Sequence, residues 1–342
     1  MSTILGNPIT LGGGGGNELI VTAPTGSTVT ATKGSITKRA TEKSGTWTFK
    51  GLEAGDWTVT AVKGSDSTSS VVTVSAETVL LSFKPTASLT AQSGVTYTNG
   101  ISGISAGKMS IYAEAISNNA SITNATGVVY IDDGANHYKV SIGDQVTLAL
   151  NGTNYVFDVI GFNHDTLTNA KAYGASTKTG KAGITFQMHD LFATGYKMNS
   201  TDTNSGGWKS SDMRTSTMAT MKGYMPDDWE TIIKHVNKAS GKGGGSSSGT
   251  EIVSDNCFLL AEIEIFGSTT YSVSGEGTQY AYYKAGNSKV KNMTVHSDYA
   301  DHWWERSPYS GNGNSFCYVY MDGTADFSNP TIKPLIAFAF CV

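Results

Sequence analysis

The chain has 342 residues, a formal net charge of −4 and only 15% charged residues. This length allows more than one domain, and the small acidic balance excludes the basic surface that nucleic-acid-binding proteins need. Glycine is abundant, with 40 residues against 7 prolines. Such a polar, weakly charged composition is common in extracellular β-proteins and adhesins.

Residues 1–17 are predicted to form an arm and a glycine linker. An apolar stretch at 4–11 precedes five consecutive glycines at 12–16, which hold no fixed conformation alone. The arm is either disordered or a peptide that docks on a partner protein.

The chain begins without a signal-peptide pattern, and no stretch reaches the roughly 18 apolar residues of a membrane span. We therefore expect cytoplasmic synthesis, no membrane insertion, and release by a route such as lysis.

Residues 18–84 are predicted to form a small β-sandwich. Short β-branched runs with a period of two, such as STVTATK and DWTVTAVKG, are separated by Gly, Ser and Asp turns, a pattern typical of antiparallel strands. The segment GTWTFKGLEAGDWTVTAVKG resembles the closing strands of prealbumin-like, carboxypeptidase-regulatory sandwiches, with the glycines at 51 and 55 marking the turn. The resemblance implies a spacer module without chemistry of its own.

Residues 85–125 read as a polar connector with a helical turn or two near Ala113, and residues 126–342 as a second domain. Strand patterns at VVYID, HYKVSI, QVTLAL and YVFDVIGF lead into helical patterns. One helix is predicted to start at Pro226 and to continue through Trp229 and Ile233 to Val236; another is marked by a methionine stripe just before it. Residues 240–251 are predicted to be a mobile surface loop. The strands CFLLAEIEIFG and AFAFCV then complete an α+β order.

The cysteines are predicted to be structural. Cys257, Cys317 and Cys341 each lie in an apolar run, which favours buried free thiols. A Cys317–Cys341 disulfide is the alternative.

No catalytic or metal-binding constellation is predicted. Residues 103–107 match G-x-S-x-G but lack the strand and helix that this motif needs. The six histidines show no metal-site spacing. The polar group at 163–165, directly after a strand, is assigned to a turn, and residues 202–206 resemble part of a calcium loop without its closing carboxylate. We predict no enzyme activity, no catalytic residues, no metal and no cofactor.

The tail from 301 to 332 combines a rigid pattern with adaptable residues. In FCYVYMD, the alternation of side chains along a strand places Cys317, Val319 and Met321 on a face toward the core. It places Tyr318, Tyr320 and Asp322 on the opposite, solvent-facing side. Tyrosine provides a large contact area with few rotors and one polar tip. Except for Met321, every residue from 307 to 332 can be encoded by a codon ending in a pyrimidine, as expected if the adenines of asparagine-type codons had been randomised.

The motifs GGWKSSDMR, EGTQYAYY and WWERSPYSGNGNSFCYVYMDG resemble a C-type-lectin-like family of phage and prophage proteins, related in fold to formylglycine-generating enzymes. Members are often variable proteins of diversity-generating retroelements. The resemblance implies an α+β C-type-lectin-like domain at 126–342 behind the small all-β (prealbumin/Ig-like) sandwich. It implies a fixed frame of Trp303, Trp304, Arg306, Ser307, Pro308, Phe316, Cys317, Val319, Gly323 and Ala325. It implies displayed, ligand-binding positions at Tyr309, Asn312, Asn314, Ser315, Tyr318, Tyr320, Asp322, Asp326, Phe327, Ser328 and Asn329.

Two features of this frame stay open. Trp303 and Trp304 either hold the frame or stack on a sugar, and Arg306 either stacks on an indole or pairs with a buried acid. Glu305 places a charge where the family has an aliphatic residue.

The resemblance implies a phage tail-associated receptor-binding protein in the virion tail. Its partners would be a host cell-surface receptor, protein or glycan, and other tail proteins that bind the N-terminal arm. A homotrimer is compatible with a fibre, although no heptad or triple-helical repeat supports it. Two alternatives remain: a bacterial surface or secreted adhesin of the same family, and a formylglycine-generating type of enzyme.

Overall fold

The structure is a computed structural model that describes residues 9–10, 17–23, 26–43, 46–63, 66–76, 78–82, 87–133, 136–173, 177–245, 249–294 and 296–342. The chain divides into two compact units, 1–92 with 131–137, and 93–130 with 138–342. Most of the predicted arm and linker, and residues 246–248 of the predicted surface loop, lie outside the described residues. Across the described part of the chain, no helix combines the length and the apolar character needed to cross a bilayer.

The first unit consists of two sheets around one core. Its strands are β1 (Ile9–Thr10), β2 (Leu19–Thr22), β3 (Thr28–Lys33), β4 (Ile36–Arg39), β5 (Glu42–Lys43), β6 (Thr46–Phe49), β7 (Gly55–Lys63), β8 (Asp66–Val74) and β9 (Val79–Ser82). One sheet has the order β1-β9-β2-β6-β5 and the other β4-β3-β7-β8. Alternate residues of both sheets, including Trp47 and Trp57, form a single buried cluster, because successive side chains of a strand point to opposite faces.

The second unit begins with β10 (Thr98–Asn99) and α1 (Ala106–Ser117); β11 (Val128–Asp132) and β12 (His137–Ser141) follow, and each has residues in both units. The G-x-S-x-G match lies at the start of α1. The Ser105 hydroxyl accepts a hydrogen bond from the Lys108 backbone N–H at 3.5 Å, so this serine is a helix cap. Gly183 packs so closely on α1 that a Cβ there would lie 2.0 Å from the Ala113 carbonyl oxygen.

The core of the second unit is a five-stranded sheet, β13-β14-β15-β24-β18. These strands are β13 (Gln145–Leu150), β14 (Thr153–Phe162), β15 (Ile184–Met188), β18 (Cys257–Phe258) and β24 (Ala339–Cys341). Every residue of β15 and β24 is buried, since both strands lie inside the sheet. Phe157, Phe186 and Phe340 pack together with ring centroids 5.3–5.4 Å apart.

The remaining elements carry the candidate site. They are α2 (Gly207–Ser210), a π-helical turn (Met213–Thr217), α3 (Met218–Gly223), α4 (Asp227–Glu230), β16 (Val236–Gly241), β17 (Thr250–Asp255), α5 (Glu262–Phe266), α6 (Ala281–Lys284), β19 (Asn292–Met293), β20 (His296–Ala300), β21 (Trp303–Pro308), β22 (Phe316–Val319) and β23 (Ala325–Ser328). Strands β16 and β17 form a hairpin, and β21-β22-β23 form a three-stranded antiparallel sheet.

The predicted fold class, an α+β C-type-lectin-like domain, is wrong. The structure is 38% strand and 14% helix, divided among many small sheets. The helix expected from Pro226 to Val236 is a single turn, α4, and Val236 already begins β16. Trp229, Ile232 and Ile233 are buried nonetheless, because a turn followed by a strand can bury the same apolar positions, and periodicity over so short a segment does not separate the two.

The three cysteines are free and buried, as the apolar runs predict, and the alternative Cys317–Cys341 disulfide is absent. Burial raises the pKa of the Cys257 thiol to about 12, and it also raises the pKa values of Cys317 and Cys341. These thiols are therefore protonated at neutral pH and are weak nucleophiles.

Candidate binding surface

Five residues of the predicted frame are completely buried in the tail sheet. Trp303, Trp304, Arg306, Cys317 and Val319 all have 0% exposure. The indole N–H of Trp303 donates to the Lys289 carbonyl at 3.1 Å, and that of Trp304 to the Tyr196 carbonyl at 2.8 Å. Neither ring leaves a face open for a sugar, so both tryptophans hold the frame.

Arg306 lies where β21 departs from regular pairing, between Trp304 and Pro308. Its guanidinium donates to the backbone carbonyls of Ala239 (3.0 Å), Leu259 (3.0 Å) and Glu276 (2.6 Å), and to both carboxylate oxygens of Glu264. Arg306 therefore pairs with a buried acid. Since its planar fork reaches hairpin β16–β17, the approach to α5 and the loop at 276, one side chain ties three segments to the tail.

A second buried cation, Lys238, completes a buried ion cluster that we call the Arg306 cluster and that consists of Arg306, Glu264, Lys238 and Asp165. The Lys238 ammonium lies 2.7 Å from Asp165 and 2.7 Å from Glu264. His164, Asp165 and Glu264 offer ligand atoms within 4.8 Å of one another, as in a metal site. Lys238 already supplies the positive charge between the two carboxylates, however, and the residues at 163–165 that we assigned to a turn belong partly to this buried ion cluster.

Glu305 is buried without a partner. Its exposure is 0%, and neither carboxylate oxygen has a hydrogen-bond partner. Burial raises the pKa of Glu305 well above its ordinary value of 4.5, and the nearby acids Glu262 and Glu276 raise it further, against the opposing charge of Arg306. Glu305 is thus held as a neutral acid in the place where the resemblance implies an aliphatic residue.

Replacing Glu305 with glutamine should remove a pH-dependent loss of stability. A carboxyl whose pKa is raised on folding stabilises fully below its unfolded pKa, and this contribution is lost as pH rises toward the folded pKa. From pH 4.5 upward, the free energy of unfolding of the wild type should therefore fall faster than that of Glu305→Gln, by about 1.4 kcal/mol per pH unit. Urea unfolding at several pH values measures this slope, with exposed Glu53→Gln as control. Parallel slopes for Glu305→Gln and the wild type would contradict the assignment.

The displayed positions of the tail are mostly accessible. Asn314 and Asp322 are exposed, and Tyr309, Asn312, Tyr320, Asp326, Phe327, Ser328 and Asn329 are half-buried. Two positions differ from the prediction: Ser315 is 6% exposed and Tyr318 is 7% exposed. The Ser315 carbonyl is held inside a loop, and other rings cover the Tyr318 ring.

Two of the displayed positions, Tyr318 and Tyr320, form a cluster with His302 and Trp304 that we call the tyrosine–histidine cluster. The His302 ring lies 4.6 Å from Tyr320 and 5.3 Å from Tyr318, and Tyr318 lies 6.0 Å from Trp304. The Tyr318 hydroxyl donates to Asp326 at 3.0 Å; burial and this hydrogen bond raise the pKa of Tyr318. Pairing of Trp304, Tyr318 and Asp326 across the sheet puts them on one face.

The opposite face carries the stacked cluster, which consists of Tyr271, Tyr309 and Phe327. Tyr309 and Phe327 stack at 3.9 Å with an interplanar angle of 14°, and Tyr271 meets both edge-on at 5.9 and 5.1 Å. Phe327 pairs with the buried Cys317. The tail positions therefore meet in two aromatic groups rather than on one continuous face.

Residues outside the tail position its first loop. Asn204 has 0% exposure, and its amide N–H₂ donates to the carbonyls of Tyr309, Asn312 and Ser315 at 2.7–3.1 Å. Its side-chain oxygen accepts from the Gly244 N–H at 2.7 Å. The neighbouring Asp202 accepts from Asn329 at 2.6 Å. The segment that resembled part of a calcium loop thus holds the tail.

Three contributors were missed in the sequence: Asn204, Tyr271 and His302. Tyr271 is fixed because the Glu262 carboxylate accepts the backbone N–H groups of residues 270–272 at 2.8–3.1 Å. No local pattern marks Tyr271, and the resemblance of residues 202–206 to a calcium loop marked Asn204 for a different role. Both residues reach the tail only through tertiary structure. His302 directly precedes the tryptophans, and its position beside an aromatic run was a usable signal.

Met321 does not lie on the core face. Strand β22 ends at Val319, and Met321 is 40% exposed in the turn before β23. Alternation applies only while the strand continues, so the turn overrides it.

Residues 182–337 match a domain of unknown function, DUF6273. The match includes all of the tail sheet and the Arg306 cluster except Asp165, and it covers less than half of the chain. No curated protein and no solved structure gives a significant match.

Proposed function

We propose that this chain is a receptor-binding protein of a bacteriophage tail, and that the accessible tail residues form its ligand-binding face. The observation that carries the proposal is the contrast between frame and surface. The frame residues Trp303, Trp304, Arg306, Phe316, Cys317 and Val319 are inaccessible. In contrast, Tyr309, Asn314, Tyr320 and Asp322 reach solvent from the loop and the turn that join the three strands. Aromatic rings beside Asn, Ser and Asp are the composition of adaptable recognition surfaces.

The mechanism is binding alone. Tyrosine rings supply contact area at low entropic cost, and the amide, hydroxyl and carboxylate groups adapt their hydrogen bonds to a host receptor, protein or glycan. Many copies on a virion would convert modest affinity into firm adhesion. The N-terminal arm would attach the chain to other tail proteins.

The proposal includes diversification of the tail by a retroelement, which the residue types at 307–332 support, since all except Met321 can be encoded by a codon ending in a pyrimidine. It requires a reverse-transcriptase gene near this gene and a near-copy of the tail's coding sequence that differs only at template adenines. Mismatches spread over all four bases would exclude it.

Binding of the purified full chain to bacterial cells tests the function. The fluorescently labelled chain should bind cells of the species that carries the gene, and Tyr309→Ala and Tyr320→Ala should each weaken binding by about tenfold or more, as central aromatic contacts do. Tyr130→Ala is the matched control, because Tyr130 is a half-buried tyrosine in another aromatic pair, with Tyr97 at 5.0 Å. Equal binding by all three variants would remove the tail from the binding face.

A further inference from the structure

The Arg306 cluster contains an amine and a carboxyl group, those of Lys238 and Asp165, that could form a covalent cross-link. We propose that Lys238 and Asp165 condense to an intramolecular amide, with Glu264 as the base, so that the mature protein carries an isopeptide bond between β16 and the segment after β14. This inference is independent of the proposed function.

The backbone places the two reacting groups opposite each other. Leu167 and Val236 form an antiparallel bridge, and the Asn237 N–H donates to the Thr166 carbonyl at 2.8 Å. The same register puts Asp165 opposite Lys238, with both side chains on one side. The ammonium nitrogen lies 2.7 Å from Asp165 Oδ1, a contact that brings it within attacking range of the carboxyl carbon.

Water is excluded from the pair. Lys238 is 2% exposed, Asp165 4% and Tyr280 0%, and the ammonium lies 4.2 Å from the centre of the Phe258 ring. Burial alone would raise the pKa of Asp165, but the charge and hydrogen bond of Lys238 lower it, so the pair starts as an ion pair. A dry site penalises both charges, and an amide carries neither.

Neighbouring groups are arranged for the chemistry. Glu264 Oε1 lies 2.7 Å from the Lys238 nitrogen and can accept its proton. Arg306 holds the Glu264 carboxylate in this orientation. The hydroxyls of Thr185 and Tyr280 donate to Asp165 Oδ2 at 2.7 and 2.9 Å, where they would stabilise the oxyanion of the tetrahedral intermediate.

The step balances without any co-reactant. The nitrogen of Lys238 bonds to the carboxyl carbon of Asp165, and the bond from that carbon to Oδ1 breaks. Of the three ammonium hydrogens, one stays on the amide nitrogen. The other two leave with Oδ1 as one water molecule, one of them by way of Glu264. The product has lost one positive and one negative buried charge, and Glu264 keeps Arg306 as its counter-ion.

Mass spectrometry of the purified full chain tests the proposal. The intact wild type should be lighter than its sequence by one water molecule. A tryptic digest should contain one branched peptide that joins the segments around Asp165 and Lys238, with no cleavage after Lys238. Lys238→Arg should have its full sequence mass. Lys291→Arg is the matched control and should keep the water loss, because the buried Lys291 donates to the carbonyls of Met188 and His189.

Asp165→Asn supplies an independent check, since its condensation would release ammonia and give a product of the same mass as the mature wild type. A folded wild type with its full sequence mass would overturn the proposal whatever the variants do. A water loss confined to a linear peptide around Asp165, as in a succinimide, would overturn it as well.

Discussion

Arg306→Met should destabilise the second unit by about 3–5 kcal/mol, the cost of removing one partner from a buried ion pair. Methionine fills a similar volume but cannot donate hydrogen bonds. The variant would remove the cation that contacts both carboxylate oxygens of Glu264, and would leave the carbonyls of Ala239, Leu259 and Glu276 without this donor. Because domains are stable by only about 5–15 kcal/mol, we expect little folded protein at elevated temperature.

Urea unfolding followed by tryptophan fluorescence measures this loss. Lys209→Met is the control in the same unit: Lys209 pairs with Glu251 at 2.9 Å, but its side chain is 55% exposed, so at most about 1 kcal/mol is expected. If the two variants unfolded at the same urea concentration, the Arg306 cluster would not be what holds the tail sheet.

Asn204→Asp should loosen the first tail loop and cost about 3 kcal/mol or more. The change is isosteric, yet it replaces the amide N–H₂ that approaches the carbonyls of Tyr309, Asn312 and Ser315 by an oxygen that cannot donate. A carboxylate would then face three carbonyl oxygens in a site with 0% exposure.

Hydrogen exchange of the backbone amides at 309–315 detects this loosening directly. Asn314→Asp makes the same chemical change at an exposed position of the same loop, and it should alter the unfolding free energy by less than about 0.5 kcal/mol. Unchanged exchange in Asn204→Asp would show that the loop keeps its conformation without this side chain.

The parts of the fold that follow from local pattern could be predicted from the sequence. Period-two runs located the strands of the first unit, and alternation placed Cys317 and Val319 in the core. The fold class could not be predicted in this way, because the helical pattern around Trp229 stops after one turn and Val236 enters a strand. At this length, burial of the same apolar positions satisfies either structure.

The candidate site likewise contains residues that the local sequence pattern marks and residues that only the tertiary structure brings to it. Trp303, Trp304 and Arg306 are marked by their own residue types, and they are buried as a frame requires. Asn204 and Tyr271 lie far from the tail in sequence and reach it only in the folded chain. Glu305 broke the apolar pattern in the sequence; in the structure it behaves as a neutral side chain, because burial raises the pKa of its carboxyl.

A saturation library most directly tests the central claim that the tail consists of replaceable residues on an irreplaceable frame. Every residue type would be placed at Tyr309, Asn312, Asn314, Tyr320 and Asp322, and separately at Trp303, Trp304 and Arg306. Each variant of the full chain would be scored for protease resistance and for binding to bacterial cells. We predict that most tail variants stay folded while their binding changes, and that most frame variants are degraded. Tail variants that lose protease resistance as often as frame variants, or that all bind as the wild type does, would contradict the account.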